Sequence, residues 1–213
     1  MVHILSCGTP RHHRVVVTYP CSSPFVRSRH IVPLLCVCFA AVTLIFSPWG
    51  SVPAPYLDLG LPAPLVPLRA IALVALGYLP LLTLSPETQI QDRSSPRSAW
   101  LLQAAAPTAF TVISVAAVLA GATVAGMDAS GAVRNMLLGT AAAAVLRPVM
   151  SPLAFLPAVL GALLCAALRE QQAWWAITNQ PGTLASLLVA AILAAAALQL
   201  TSLQIRTNQL SAH

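Results

Sequence analysis

The stretch LASLLVAAILAAAALQLTSL, residues 184 to 203, runs for about 20 residues without a charged side chain. As an α-helix rising about 1.5 Å per residue it matches the roughly 30 Å hydrocarbon core of a bilayer. In hydrocarbon every backbone N–H and C=O must find its partner within the segment, which dictates a helix. Four further apolar runs, Ile31 to Phe46, Leu65 to Leu84, Trp100 to Ala125 and Pro152 to Leu168, make a similar demand. A sixth, Ala132 to Met150, carries Arg134 and Arg147 near its two ends. The fold class that follows is all-α: a polytopic membrane helix bundle of about six transmembrane helices.

Composition agrees. Hydrophobic residues make up 58% of the 213, charged residues only 8%, and the mean hydropathy is +0.81. Such a chain has no polar surface to spare for water, and once six spans are counted no stretch remains for a soluble catalytic or nucleotide-binding domain. The expected organisation is a basic, disordered cytoplasmic tail over 1–30, a single transmembrane helical domain over 31–205, and a short cytoplasmic tail over 206–213. The tail precedes an apolar run, and Val52-Pro53-Ala54 resembles a cleavage site. A polar region near thirty residues is nonetheless too long for a signal peptide, so the tail reads as uncleaved.

All of the 11 basic residues are arginine, a bias typical of GC-rich bacterial genomes. A net charge of +6 invites a nucleic-acid reading, but these arginines punctuate apolar runs instead of clustering on a polar face, so no nucleic acid is expected. Sorted by side for six spans, Arg11, Arg14, Arg27, Arg29, Arg93, Arg97, Arg147 and Arg206 share one side, against Arg69, Arg134 and Arg169 on the other. The positive-inside rule then puts both termini in the cytoplasm, for a multi-pass protein of the bacterial cytoplasmic membrane. Five spans, omitting Ala132 to Met150, weaken the charge bias slightly.

The connections have the chemistry of chain leaving a bilayer. Residues 47–64 are rich in Pro and Gly, 85–98 (SPETQIQDRSSPRS) are polar, and MDASG (127–131) and RPVMSP (147–152) read as tight turns. Pro33, Pro67, Pro80, Pro107 and Pro157 are expected to bend or break helices locally. Gly121 with Ala125, Gly139 with Ala143, and the tracts Ala141 to Ala144 and Ala194 to Ala197 have the spacing that lets helix backbones approach closely, which predicts a compact bundle and a homo- or hetero-oligomer.

The residues that carry chemistry are few. Cys36 and Cys38 point about 200° apart on a helix and have no His or carboxylate nearby, so they read as apolar filler and no metal or cofactor is expected. Cys165 reads the same way, and Ser114 as a packing residue bonded to backbone. The acids Asp58, Glu87, Asp92, Asp128 and Glu170 all fall in connections, and no nucleophile motif or phosphate-binding loop occurs, so no enzyme is expected. Trp174 and Trp175 belong at the outer interface, with Trp49 and Tyr56 in the same belt. Arg134, about a turn inside the outer boundary, needs a partner, either Asp128 or backbone carbonyls. Asn135 beside it is expected to face a neighbouring helix or a polar cavity, which makes Arg134, Asn135 and Asp128 the candidate intramembrane polar site.

The six-span layout, the loop LSPETQIQDRSSPRS after the second span, and the stretch VRNMLLGTAAAAVLRPVMSPLAFLPAVLGALL followed by WWA resemble uncharacterised six-span proteins of GC-rich bacteria. Those in turn resemble the small permease subunits of ATP-binding-cassette exporters. The resemblance covers about residues 30 to 205, although this chain has short outer loops and lacks a clear amphipathic helix before its first span. It implies a non-enzymatic subunit whose loop docks on a separate ATP-binding subunit through Glu87, Asp92 and Arg93. A non-transporting membrane scaffold or regulatory subunit is the alternative from another class.

Overall fold

The computed structural model describes residues 31–53, 66–84, 99–150, 153–167 and 181–210. These form helices α1 (Ile31–Ile45), α2 (Leu68–Leu76), α3 (Leu79–Leu82), α4 (Ala99–Val124), α5 (Ala129–Met150), α6 (Leu156–Ala167) and α7 (Leu184–Leu210), with a 3-10 turn at Pro48–Ser51. The described chain is all-helical apart from one isolated bridge between Pro53 and Pro67, where the Leu68 N–H meets the Val52 carbonyl at 2.8 Å. Ala105–Val124, Ala129–Met150 and Leu184–Gln204 are long and apolar enough to cross a membrane, while the apolar helices at 31–45, 68–82 and 156–166 are shorter.

The sixth apolar run corrects its own reading. The helix starts at Ala129, three residues before the expected Ala132, and continues through Arg147 and Pro148 to Met150, where a turn was expected. This helix, α5, is the centre of the described bundle. Every residue from Gly131 to Leu137 is buried, so the helix is covered on all sides there. Of the three long apolar helices it is also the most enclosed, with 61% of its window buried against 39% and 28%. The residues that make it look least like a span, Arg134, Asn135 and Thr140, are tolerated because they face protein and not lipid.

Small residues set the packing distances. A β-carbon built on Gly77 would lie 2.8 Å from the Gly139 carbonyl carbon, and one built on Gly139 would lie 2.8 Å from the Val74 carbonyl carbon. Thus α2 crosses α5 backbone to backbone. Ala143, Ala144 and Ala197 are buried together with Leu81, Leu84 and Leu198 where α5 meets α3 and α7. Gly139 and the alanine tracts have the close-packing role their spacing implies, and Gly77 is the partner that spacing within a single run did not single out.

The contacts also fix helix directions. Cys38 lies beside Ser114, and Val42 and Phe46 beside Gly121, so α1 and α4 run the same way. The order Val74 to Gly139, then Leu81 and Leu84 to Arg147, makes α2–α3 parallel to α5. The starts of α5 and α7 meet at Gly131 and Gly182, which makes this pair parallel too. Just before α6, the Phe155 ring lies 5.3 Å from that of Tyr78, tilted by 41°, and within α6 Ala162 and Ala166 pack with Val66, Ile71 and Val74.

Prolines behave unevenly. Pro107 leaves α4 a continuous helix, contrary to expectation, and Thr111 Oγ1 donates to its carbonyl at 2.7 Å. Pro67 and Pro157 stand at helix starts, where a missing N–H costs nothing. Pro80 does break the Leu65–Leu84 run: lacking an N–H, it cannot bond the Leu76 carbonyl, and α2 ends there. Between α4 and α5 the chain reverses in four residues. Met127 N–H bonds the Ala122 carbonyl and Gly126 N–H the Thr123 carbonyl, with Gly126 at φ 64°, a conformation that glycine adopts without penalty.

Candidate functional site

The start of α5 is built from a helix cap. Asp128 immediately precedes the helix, and its Oδ1 accepts from Gly131 N–H at 3.0 Å and from Ser130 Oγ at 2.7 Å, the capping arrangement that satisfies otherwise unpaired N–H groups. Its other oxygen, Oδ2, accepts from the N–H of Gly182 at 2.6 Å, two residues before α7 begins. One carboxylate therefore ties the starts of two parallel helices together. Burial alone would push its pKa up, but the hydrogen bonds from Gly131, Gly182 and Ser130 prevail and hold the carboxyl below its ordinary value.

This union needs both glycines. A β-carbon on Gly131 would come within 3.3 Å of Gly182 N, and one on Gly182 within 2.6 Å of the Ser130 carbonyl carbon. Neither glycine was singled out from sequence, although Asp-Ala-Ser-Gly has the form of a cap followed by a first helical turn, and Pro-Gly before an apolar run marks a helix start.

One turn further in, Arg134 is 1% exposed, making it the largest fully buried side chain described. Its Nη1 donates to the Pro181 carbonyl at 3.1 Å, and Nε and Nη2 both donate to Asn135 Oδ1, at 3.1 and 3.0 Å. Of the two partners expected, Arg134 takes the backbone carbonyl by hydrogen bond, while the Asp128 charge acts on it through space. An arginine stripped of water is costly unless its donors are used, and here the lead-in to α7 and the adjacent Asn135 use them. Arg134, Asn135 and Asp128 thus belong to one network with Pro181 and Gly182, which joins α5 to the start of α7.

Arg147 lies at the other end of α5. Its Nη1 donates to the Leu81 carbonyl at 3.0 Å and its Nη2 to the Leu84 carbonyl, so it holds one carbonyl within α3 and one just beyond its end. Sequence reasoning read this residue as a topology marker alone and missed the contact, because the partner carbonyls lie in a segment more than sixty positions earlier.

Cys38 is buried and its Sγ lies 3.4 Å from Ser114 Oγ, so Ser114 pairs with a thiol where a backbone partner was expected. Cys36 is exposed on the opposite side of α1. Among the described residues no group of three or more His, Cys, Asp or Glu side chains converges as metal ligands do. Glu87, Asp92 and Arg93, and Trp174 and Trp175, lie outside the described residues. A scan against models of protein families, a search of curated proteins and a search of solved structures each found no match.

Proposed function

We propose that this chain is a six-crossing protein of the bacterial cytoplasmic membrane with both termini inside, and that it serves as the permease subunit of an exporter driven by a separate ATPase. The alternating helix directions support that layout, with Arg147 and the 85–98 connection on the cytoplasmic side and Asp128, Arg134 and Gly182 near the outer one. The observation that carries the transport reading is the crossing of Gly77 on Gly139. It places the element that leads into the charged connection in backbone contact with α5, the helix holding the buried Arg134–Asn135 pair. A push on the connection by a docked ATPase is thereby delivered to the polar interior, with no soluble domain needed in this chain.

The scaffold reading draws on a different observation. Buried Ser114 pairs with Cys38 across α1 and α4, and the buried hydroxyls of Thr111, Thr140 and Thr201 are spent on carbonyls four residues back in their own helices, so these polar groups serve the helices themselves, as a frame for partner helices would have it. Purification of the tagged protein in mild detergent, followed by assay of ATP hydrolysis and ATP-driven export in vesicles, separates the two. The permease reading expects co-eluting ATPase activity that Glu87→Arg removes along with export. An absence of such activity, with export unchanged by Glu87→Arg, overturns it in favour of the scaffold.

A further inference from the structure

The two arginines of α5 perform the same chemistry at opposite ends of the helix: each donates to backbone carbonyls where a neighbouring helix begins or ends. Their backing differs greatly. At the Arg134 end the side chain is fully buried, Asp128 adds its own bond to Gly182, and the Gly131 and Gly182 backbones are in contact. At the other end a single half-buried side chain, Arg147, reaches two carbonyls, those of Leu81 and Leu84.

What Arg147 holds is a short piece of helix set off from its neighbour by a change of hydrogen bonding: Tyr78 N–H bonds the Ala75 carbonyl and Leu81 N–H the Tyr78 carbonyl, three residues back instead of four. α3 spans only Leu79–Leu82 and is separated from α2 at Gly77 and Tyr78, because Pro80 supplies no N–H to the Leu76 carbonyl. Gly77 seats the break on the backbone of α5 at Gly139 and Thr140. Beyond it, Leu81 and Leu84 pack on Ala143, Ala144, Ala197 and Leu198. In a bilayer this apolar packing resists movement weakly, because lipid tails solvate leucine about as well as alanine does. The Leu81 carbonyl also accepts from the Leu84 N–H at 3.1 Å, whereas Arg147 is the donor that reaches the Leu84 carbonyl, for which lipid tails offer no substitute and only interfacial water could stand in.

We infer that α3 is a hinged arm, pivoting where Gly77 crosses α5, and that Arg147 is the positioning residue that latches it, while the joined starts of α5 and α7 stay fixed. That the arm passes motion from the 85–98 connection into the bundle rests on the permease reading. The latch itself does not.

The test is a distance measurement by pulsed electron spin resonance on the purified full chain in nanodiscs, with the 5 native cysteines replaced. One label pair spans the latch, at Leu82 and Val149, both exposed; a control pair at the opposite end uses Val124 and Leu184, also exposed. The chain with Arg147 intact gives one narrow population for each pair. Arg147→Ala adds a second population at the latch pair, moving the latched-to-released ratio by about tenfold or more, as loss of charge-assisted bonds implies, and leaves the control pair unchanged. Arg147→Lys falls between, since an ammonium does not reproduce the planar fork that spans two carbonyls, and it serves alone if the alanine variant does not fold. An unchanged latch pair, or equal broadening of both pairs, overturns the proposal. Absence of an associated ATPase would remove the permease reading and leave these distances as evidence on the latch.

Discussion

Gly139→Ala tests whether α2 and α5 truly meet backbone to backbone. The added methyl would lie 2.8 Å from the Val74 carbonyl carbon and 3.0 Å from its α-carbon, where ordinary contacts need about 3.4 Å or more, and neither atom is a flexible side-chain tip. The helices must separate, and overpacking of this kind costs about 1–3 kcal/mol. Glycine to alanine in a helix also gains up to about 1 kcal/mol in propensity, which obscures the cost if the variant is judged alone. Gly161→Ala removes that ambiguity, because nothing lies within 4 Å of a β-carbon at Gly161 in α6. The propensity gain is common to both variants, so their difference isolates the crossing. At about 2–4 °C per kcal/mol for a chain of this size, Gly139→Ala should melt roughly 5 °C below Gly161→Ala when thermal unfolding is followed by circular dichroism in one detergent. Equal melting temperatures, or a higher one for Gly139→Ala, would refute the close crossing and with it the pivot assigned to Gly77.

Two further outcomes follow from the network at the start of α5. Arg134→Ala withdraws the donors to the Pro181 carbonyl and Asn135 Oδ1 and should cost about 3 kcal/mol, seen as a sharp fall in monodisperse yield; combined with Asn135→Ala, the loss should be clearly less than the sum of the two, because the residues share bonds. Asp128 should confer a pH dependence: a carboxyl held below its ordinary value of about 3.9 adds stability that is complete above that pH and drains away as pH falls through the lower folded-state value. Thermal melts between pH 7 and 3 should therefore show an acid loss below about pH 4 that Asp128→Asn lacks, and parallel curves for the two proteins would show that the carboxylate does not hold Gly182.

The legible part of the fold was the part that depends on local polarity. The apolar runs marked the helices to within a few residues at Ile31, Trp100 and Leu184, because a lipid-facing helix announces itself by the absence of charge over about 20 residues. The run from Ala132 was harder for the same reason. Its polar residues are sheltered by protein, and shelter is not a property of the run itself. The turns at 127–131 and 147–152 also read alike from sequence, both short and rich in breakers. Yet Gly126 with its positive φ ends a helix, whereas Pro148 is carried within one, since α5 gives up a single backbone bond there and is anchored one residue earlier by Arg147 on the Leu81 and Leu84 carbonyls.

The candidate site divides along similar lines. That Arg134 needs a partner follows from its charge and its depth, and any sequence placing an arginine there would demand one. Which partner it finds does not follow, because Pro181 lies 47 positions away in a connection whose course is set by the packing of α7 on α5. The same holds for Arg147 and the α3 carbonyls, and for Gly77 and Gly139. The sequence by itself therefore determined that this protein is helical and belongs in a membrane, since the cost of exposing apolar side chains to water or unpaired backbone to lipid is paid residue by residue. Only the tertiary structure decided that the least apolar long helix lies at the centre and that its two arginines close the ends of two different neighbours, because those outcomes depend on which backbones can touch.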